Sequence, residues 1–217
     1  MIGAQRHRPK GPFMQTLDLY LSLNSPWSFL GMARLEEIAR RHRAQVRVRP
    51  VDFGTIFPAS GGLPLGKRAP QRQAYRLVEL QRWSKHLDVP LTLHPAYFPA
   101  PEKLAARFVL AAELTGGRPF ALAQAILAAV WQQERNIAEV GTLEALAEET
   151  GHHAVALSAK AYEPDTQFLY ERLTQEALER GVFGAPSYVL ADGEIFWGQD
   201  RLDFLERALA ERAASAA

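Results

Sequence analysis

The sequence predicts an α/β fold: a strand–helix–strand unit opens the chain, a block of helices follows, and a strand–strand–helix unit closes it. Three observations predict this. Residues 16–22 and 45–51 alternate apolar and polar positions on either side of an amphipathic stretch. Asp192-Gly193, a residue pair favoured in tight hairpins, divides two short apolar runs near the end. Between them, from residue 68 to 180, the apolar periodicity is that of helices.

In the first strand Leu17, Leu19 and Leu21 alternate with Asp18 and Tyr20. After Asn24-Ser25-Pro26, Leu30, Ala33, Ile38 and Ala39 share a helical stripe, with Arg34, Glu37, Arg40 and Arg41 outside it. Val46 and Val48 then alternate with Arg47 and Arg49. A unit of this length suits a parallel crossover, which is nearly always right-handed. Residues 60–70 hold three glycines and two prolines and read as a loop. One helix carries Tyr75, Val78 and Trp83, and another carries Leu104, Phe108 and Ala112 and stops at Gly116-Gly117. A third starts near Pro119, where proline is tolerated, and carries Ile126, Leu127 and Val130. Residues 91–101, with three prolines, read as a loop. Further helices are expected over 142–150, 154–161 and 164–180, with Gly181 as the residue that ends the last one. Strands at 187–190 and 194–197 follow, then a helix at 201–212 with Leu202, Leu205, Ala208 and Leu209 inward.

With the helical block set aside, the order βαβ–ββα is that of the thioredoxin core. The expected fold is therefore a thioredoxin-like α/β core with an all-helical insertion. Residues 16–65 and 181–217 are assigned to the core and 66–180 to the insertion. Residues 1–15, basic and carrying two prolines, read as a loose tail, with Met14 an alternative start.

Composition narrows the chemistry. A chain of 217 residues suits one large domain or a domain with an insertion, and an apolar content of 47% suits a folded core. A net charge of +1 gives no global attraction to nucleic acid or anionic membrane, and neither is an expected partner. There is no cysteine, which excludes disulfides, thiolate metal sites and protein-borne dithiol chemistry together. No apolar stretch approaches the roughly 18 residues that read as a membrane span. The first residues lack the apolar middle of a secretory signal, so a cytoplasmic setting is expected. Adjacent His152 and His153 do not share a helix face, and His42, His86 and His94 lack ligand spacing, so no metal is expected. Gly61-Gly62 lacks the strand-to-helix context of a nucleotide loop.

Two turns carry the functional signal. Ser25-Pro26-Trp27-Ser28 begins the first helix. Serine is a favoured N-cap and proline a favoured first helical residue, so structure alone could explain both. The same geometry offers unpaired backbone N–H groups and partial positive charge, which stabilise an anion. Thiol–disulfide enzymes of this fold place C-x-x-C here, and the local field lowers the cysteine pKa. This chain reads S-x-x-S. Serine does no redox chemistry and is a weak nucleophile without a neighbouring base, so Ser25 is cast as a hydrogen-bond donor to an external thiolate. The second turn, Phe183-Gly184-Ala185-Pro186, precedes the third strand. Pro186 reads either as an ordinary turn proline or as a cis proline. In the second case Ala185 would lie opposite Ser25 and clamp an extended cysteine-containing peptide through its backbone.

The chain resembles the 2-hydroxychromene-2-carboxylate isomerase and kappa-class glutathione transferase branch of the disulfide-oxidoreductase-like superfamily, over residues 16–209. The resemblance is carried by Leu19-Tyr20, Ser25-Pro26-Trp27-Ser28-Phe29-Leu30, Leu80-Gln81-Arg82-Trp83 and Ala129-Val130-Trp131. Its most specific parts are Gly181-Val182-Phe183-Gly184-Ala185-Pro186 and Phe196-Trp197-Gly198-Gln199-Asp200-Arg201-Leu202. It implies glutathione as cofactor, with Ser25 at its sulfur, Pro26 and Trp27 beside it, and Ala185 before cis Pro186 on the cysteinyl backbone. Gln199 and Asp200 would hold the γ-glutamyl end. Relatives often place an asparagine where Gly62 stands, a departure that Lys67, Arg68 or Arg72 could offset at the glycyl end. The resemblance further implies a small aromatic-derived second substrate and a homodimer. Trp83, Trp131, Tyr97 and Phe98 are candidate walls for that substrate or else helix-packing residues, and Asn136 is a candidate polar contact. Three activities fit: an isomerase adding and eliminating glutathione thiolate, a kappa-like transferase or peroxidase, and a non-catalytic binding protein.

Overall fold

The computed structural model describes residues 15–215. One four-stranded sheet runs in the order β2–β1–β3–β4, from Ala44–Pro50, Gln15–Leu21, Ser187–Leu190 and Ile195–Trp197 respectively. β1 and β2 are parallel, joined by helix α1 (Pro26–Arg41), and the other two pairings are antiparallel. Helices α2 (Phe53–Ser60), α3 (Pro70–Leu87), α4 (Lys103–Leu114), α5 (Pro119–Trp131), α6 (Val140–Glu149), α7 (Ala154–Tyr162) and α8 (Pro164–Glu179) lie between β2 and β3 in sequence. Helix α9 (Leu202–Ser215) closes the chain after a single 3-10 turn, Gln199–Arg201.

The alternation in β1 suggests one wet face, yet Leu17 through Leu21 are all buried, Asp18 and Tyr20 among them. Helices covering both faces of the sheet produce this, and the buried carboxylate of Asp18 is met by Arg47, Arg49 and Arg180. Along α1 the inward stripe is Ser28, Gly31, Met32, Leu35, Ile38 and Ala39; Ala33, assigned inward from the sequence, is exposed. A one-position shift of the stripe is enough to turn it out.

Two further differences concern the block of helices. Helix α2 is absent from the sequence reading, because Gly54, Thr55 and Pro58 depress its helical pattern. It is held at its start by Asp52, whose side chain accepts the Gly54 N–H at 2.8 Å, and closed by Gly61 in the left-handed region at φ 74°. Helix α3 buries only Leu80 fully, leaving Tyr75 and Val78 exposed. The helices are nonetheless not separate from the sheet: α4, α5 and α8 pack on β2, α5 and α3 pack on α1, and the buried residues form one continuous cluster. Among the described residues no helix is long and apolar enough to cross a membrane.

Candidate functional site at the start of the first helix

Sheet register brings the two signal turns to one end of the molecule. β1 pairs with β3 through Tyr20 and Ser187, so the chain leaving β1 toward Ser25 runs beside the chain entering β3 from Ala185 and Pro186. The Ala185–Pro186 peptide is cis. Ser187 Oγ donates to the Gly184 carbonyl at 2.7 Å and the Gly198 N–H donates to the Pro186 carbonyl at 2.9 Å, fixing the turn from both sides. Among the described residues, neither the N–H nor the carbonyl of Ala185 takes part in a hydrogen bond. A half-buried backbone unit with both groups open is a ready partner for an extended peptide.

Ser25 is the N-cap of α1. Its Oγ accepts the Ser28 N–H at 3.1 Å, which leaves its own hydroxyl hydrogen to donate outward. The residue is half-buried, Pro26 behind it is buried, and no acidic side chain occupies the first turn of α1. The helix end therefore keeps its positive character unneutralised from within. Ser28, the second serine of the motif, is buried, and its hydroxyl meets no hydrogen-bond partner among the described residues.

The segment leading into Ser25 is held by the loop before α4, an arrangement the sequence reading did not find. Glu102 accepts from Ser22 Oγ at 2.9 Å and from the Asn24 N–H at 2.9 Å. The Asn24 side chain makes a pair of bonds with the Ala100 backbone, donating at 2.7 Å and accepting at 3.1 Å. Burial pushes the Glu102 carboxyl above its ordinary value, against the bonds from Ser22 and Asn24 that lower it.

The remaining expected contacts are distributed unevenly. Gln199 is 1% exposed, and its side-chain oxygen and backbone carbonyl both accept from Arg34 at 3.3 Å. Asp200 is exposed and pairs with Arg201 at 2.9 Å. Gly62 faces Phe57 so closely that a Cβ there would lie 2.5 Å from the ring. An asparagine at this position would have to displace Phe57, a physical reason for the glycine. Lys67 sits exposed in the 3-10 turn Leu65–Lys67, while Arg68 and Arg72 line a cavity of about 390 Å³ between Trp27 and α3. Gln71, Tyr75, Arg76 and Glu79 complete its α3 side. Of the proposed walls, Trp131 is fully buried with Phe98 packed on it at 4.8 Å, Trp83 is half-buried beside His86, and Tyr97 is exposed. The Asn136 side chain bonds Glu139 and the Ala138 N–H in the turn entering α6. His152 accepts the Arg118 N–H at 3.0 Å and lies 3.0 Å from Thr150 Oγ1, a structural post between helices.

Comparison with known proteins bears on the family and the fold. A family model described as a DSBA-like thioredoxin domain matches residues 16–210. The 2-hydroxychromene-2-carboxylate isomerase of Sphingobium xenophagum is 31% identical over 90% of this chain and 98% of that protein. Glutathione S-transferase kappa 1 of Homo sapiens is 28% identical over 93% of this chain and 94% of that protein. A solved 2-hydroxychromene-2-carboxylate isomerase superposes with a TM-score of 0.78 at 26% identity, over 93% of this chain and 99% of that one.

Proposed function

We propose, because this chain belongs to the DSBA-like thioredoxin domain family, that it is an enzyme that borrows the thiol of glutathione to isomerise a small aromatic-derived substrate. The observation that carries this reading is Ser25: a hydroxyl at the N-terminus of α1, free to donate, in a chain with no cysteine of its own. The sulfur must come from outside. Glutathione's cysteinyl backbone would pair with the open N–H and carbonyl of Ala185, placing its sulfur toward Ser25. Asp200, exposed and acidic, would meet the γ-glutamyl ammonium. Gln199, with its oxygen taken by Arg34, would act mainly by shaping that end of the site.

A free thiol of this kind has a pKa of about 8.5, so only a few per cent is thiolate near neutrality. The serine hydroxyl and the helix N-terminus stabilise the anion over the neutral thiol, and each pK unit so gained is about 1.4 kcal/mol. The thiolate adds to a conjugated carbon and the former double bond becomes free to rotate. Elimination then restores the double bond and returns the thiolate. Glutathione leaves unchanged, so catalytic amounts should carry many equivalents of a 2-hydroxychromene-2-carboxylate to its isomer equilibrium, followed by absorbance alongside a thiol assay. Stoichiometric loss of thiol would instead favour transfer, the second reading, which the likeness to the human kappa enzyme supports. Absence of saturable glutathione binding in calorimetry would overturn both and leave a non-catalytic protein. The same reading carries a homodimer in the cytoplasm, and sedimentation at micromolar concentration checks the assembly.

A further inference from the structure

The cavity beside Trp27 gathers more positive charge than the protein's own acids answer. Three arginines, Arg68, Arg72 and Arg76, line it together with one carboxylate, Glu79. Glu79 is already engaged by Arg82 at 2.6 Å. Arg68 donates its Nε to the Leu63 carbonyl at 2.8 Å. Arg76 is different. Its guanidinium lies over the Phe98 ring at 5.3 Å and the Trp131 ring at 5.7 Å, and among the described residues it makes no ion pair or hydrogen bond. Burial, and then the repulsion of Arg68, push it down to about 10. A half-buried cation that meets no protein acceptor is uncommon, because partial desolvation without a partner is costly. The two rings seat the guanidinium, and its planar fork suits bidentate binding of a carboxylate.

We propose that Arg76 receives the carboxylate of the second substrate, with Trp27 and Tyr75 as walls for its ring. This rests on the reading that Ser25 and glutathione perform the chemistry at the start of α1, the helix that also carries Trp27. A volume of about 390 Å³ accommodates an acid of one or two rings. The same chemistry could be offered by glutathione's own glycyl carboxylate, so the experiment separates the two sources.

The probe is chromone-2-carboxylate, a stable bicyclic aromatic acid, compared with its neutral carboxamide. Each is titrated into the full chain by calorimetry, with and without glutathione. The acid is expected to bind the wild type about tenfold or more tighter than the amide, as a charge-assisted pair requires. Arg76→Gln should erase that preference while glutathione affinity stays within about twofold, and Arg76→Lys should recover only part of it. Equal binding of acid and amide by the wild type overturns the proposal, and this arm needs no variant to fold. An Arg76→Gln protein that keeps the preference also overturns it. So does one that loses glutathione affinity instead, since Arg76 would then serve the tripeptide. Failure of the glutathione reading shows separately, as no heat with glutathione while the acid still binds.

Discussion

At the scale of single residues, Ser25 has two jobs that can be pulled apart. As N-cap it accepts the Ser28 N–H; as proposed donor it steadies a sulfur anion. Replacing an N-cap serine by alanine costs about 1 kcal/mol, whereas glycine costs only a few tenths. Neither replacement has a hydroxyl. Ser25→Ala and Ser25→Gly are therefore expected to differ in thermal midpoint, with alanine the lower, and to share the same loss of turnover, about tenfold or more. Melts followed by circular dichroism and assays at saturating glutathione give both quantities. Turnover that tracks the midpoint rather than the hydroxyl would reduce Ser25 to a cap. Arg76 shows the limit of sequence at this scale. Arg72 and Arg76 lie four residues apart, a spacing visible in the sequence as one helix face, with Arg68 just before the helix begins. Whether a carboxylate reaches that face from another element is decided by tertiary structure alone.

Among elements, the placement of α1 over the sheet depends on a missing side chain. A Cβ on Gly31 would lie 2.6 Å from the Tyr188 hydroxyl and 3.1 Å from Gln199 Cβ, both belonging to buried residues. Helix α1 thus approaches β3 and the turn Gln199–Arg201 as closely as glycine allows. Gly31→Ala gains about 1 kcal/mol of helix propensity but overpacks a tight contact, at a cost of about 1–3 kcal/mol. A net loss of stability in urea unfolding is expected, with weakened glutathione binding because Ser25 and Gln199 are moved apart. A stabilised variant with intact binding would show that the contact relaxes freely. The elements themselves were largely legible. Alternation marked β1 and β2, Asp192-Gly193 marked the hairpin, and proline marked the starts of α1, α5 and α8. Helix α2 was not, since its stability comes from the Asp52 cap and from burying Phe53 and Ile56 rather than from propensity. The clamp of Glu102 on residues 22–24 joins segments about eighty positions apart, which no local pattern announces.

Across the whole molecule, one carboxylate ties the sheet to the helical block. Asp18 on β1 accepts from Arg47 and Arg49 on β2 and from Arg180 just beyond α8, at 2.6 to 3.1 Å. Arg49 reaches on to Glu113 of α4 and Arg180 to Glu176 of α8, so the charge network spans several elements. Burial alone would push the Asp18 carboxyl up, but Arg47, Arg180 and Arg49 outweigh it and hold it below its ordinary value. A carboxyl depressed in the folded state stabilises above its unfolded pKa of about 3.9, and that contribution is lost as pH falls through the folded value. Asp18→Asn should therefore cost about 2 kcal/mol at pH 7, where it leaves the half-buried Arg49 and Arg180 and the exposed Arg47 without their shared buried anion. The gap between variant and wild type should close in strong acid, where protonated Asp18 resembles asparagine. Urea unfolding at pH 7 and again below pH 3 measures both ends. A gap that persists undiminished in acid would mean that shape, not charge, makes Asp18 the link between sheet and helices.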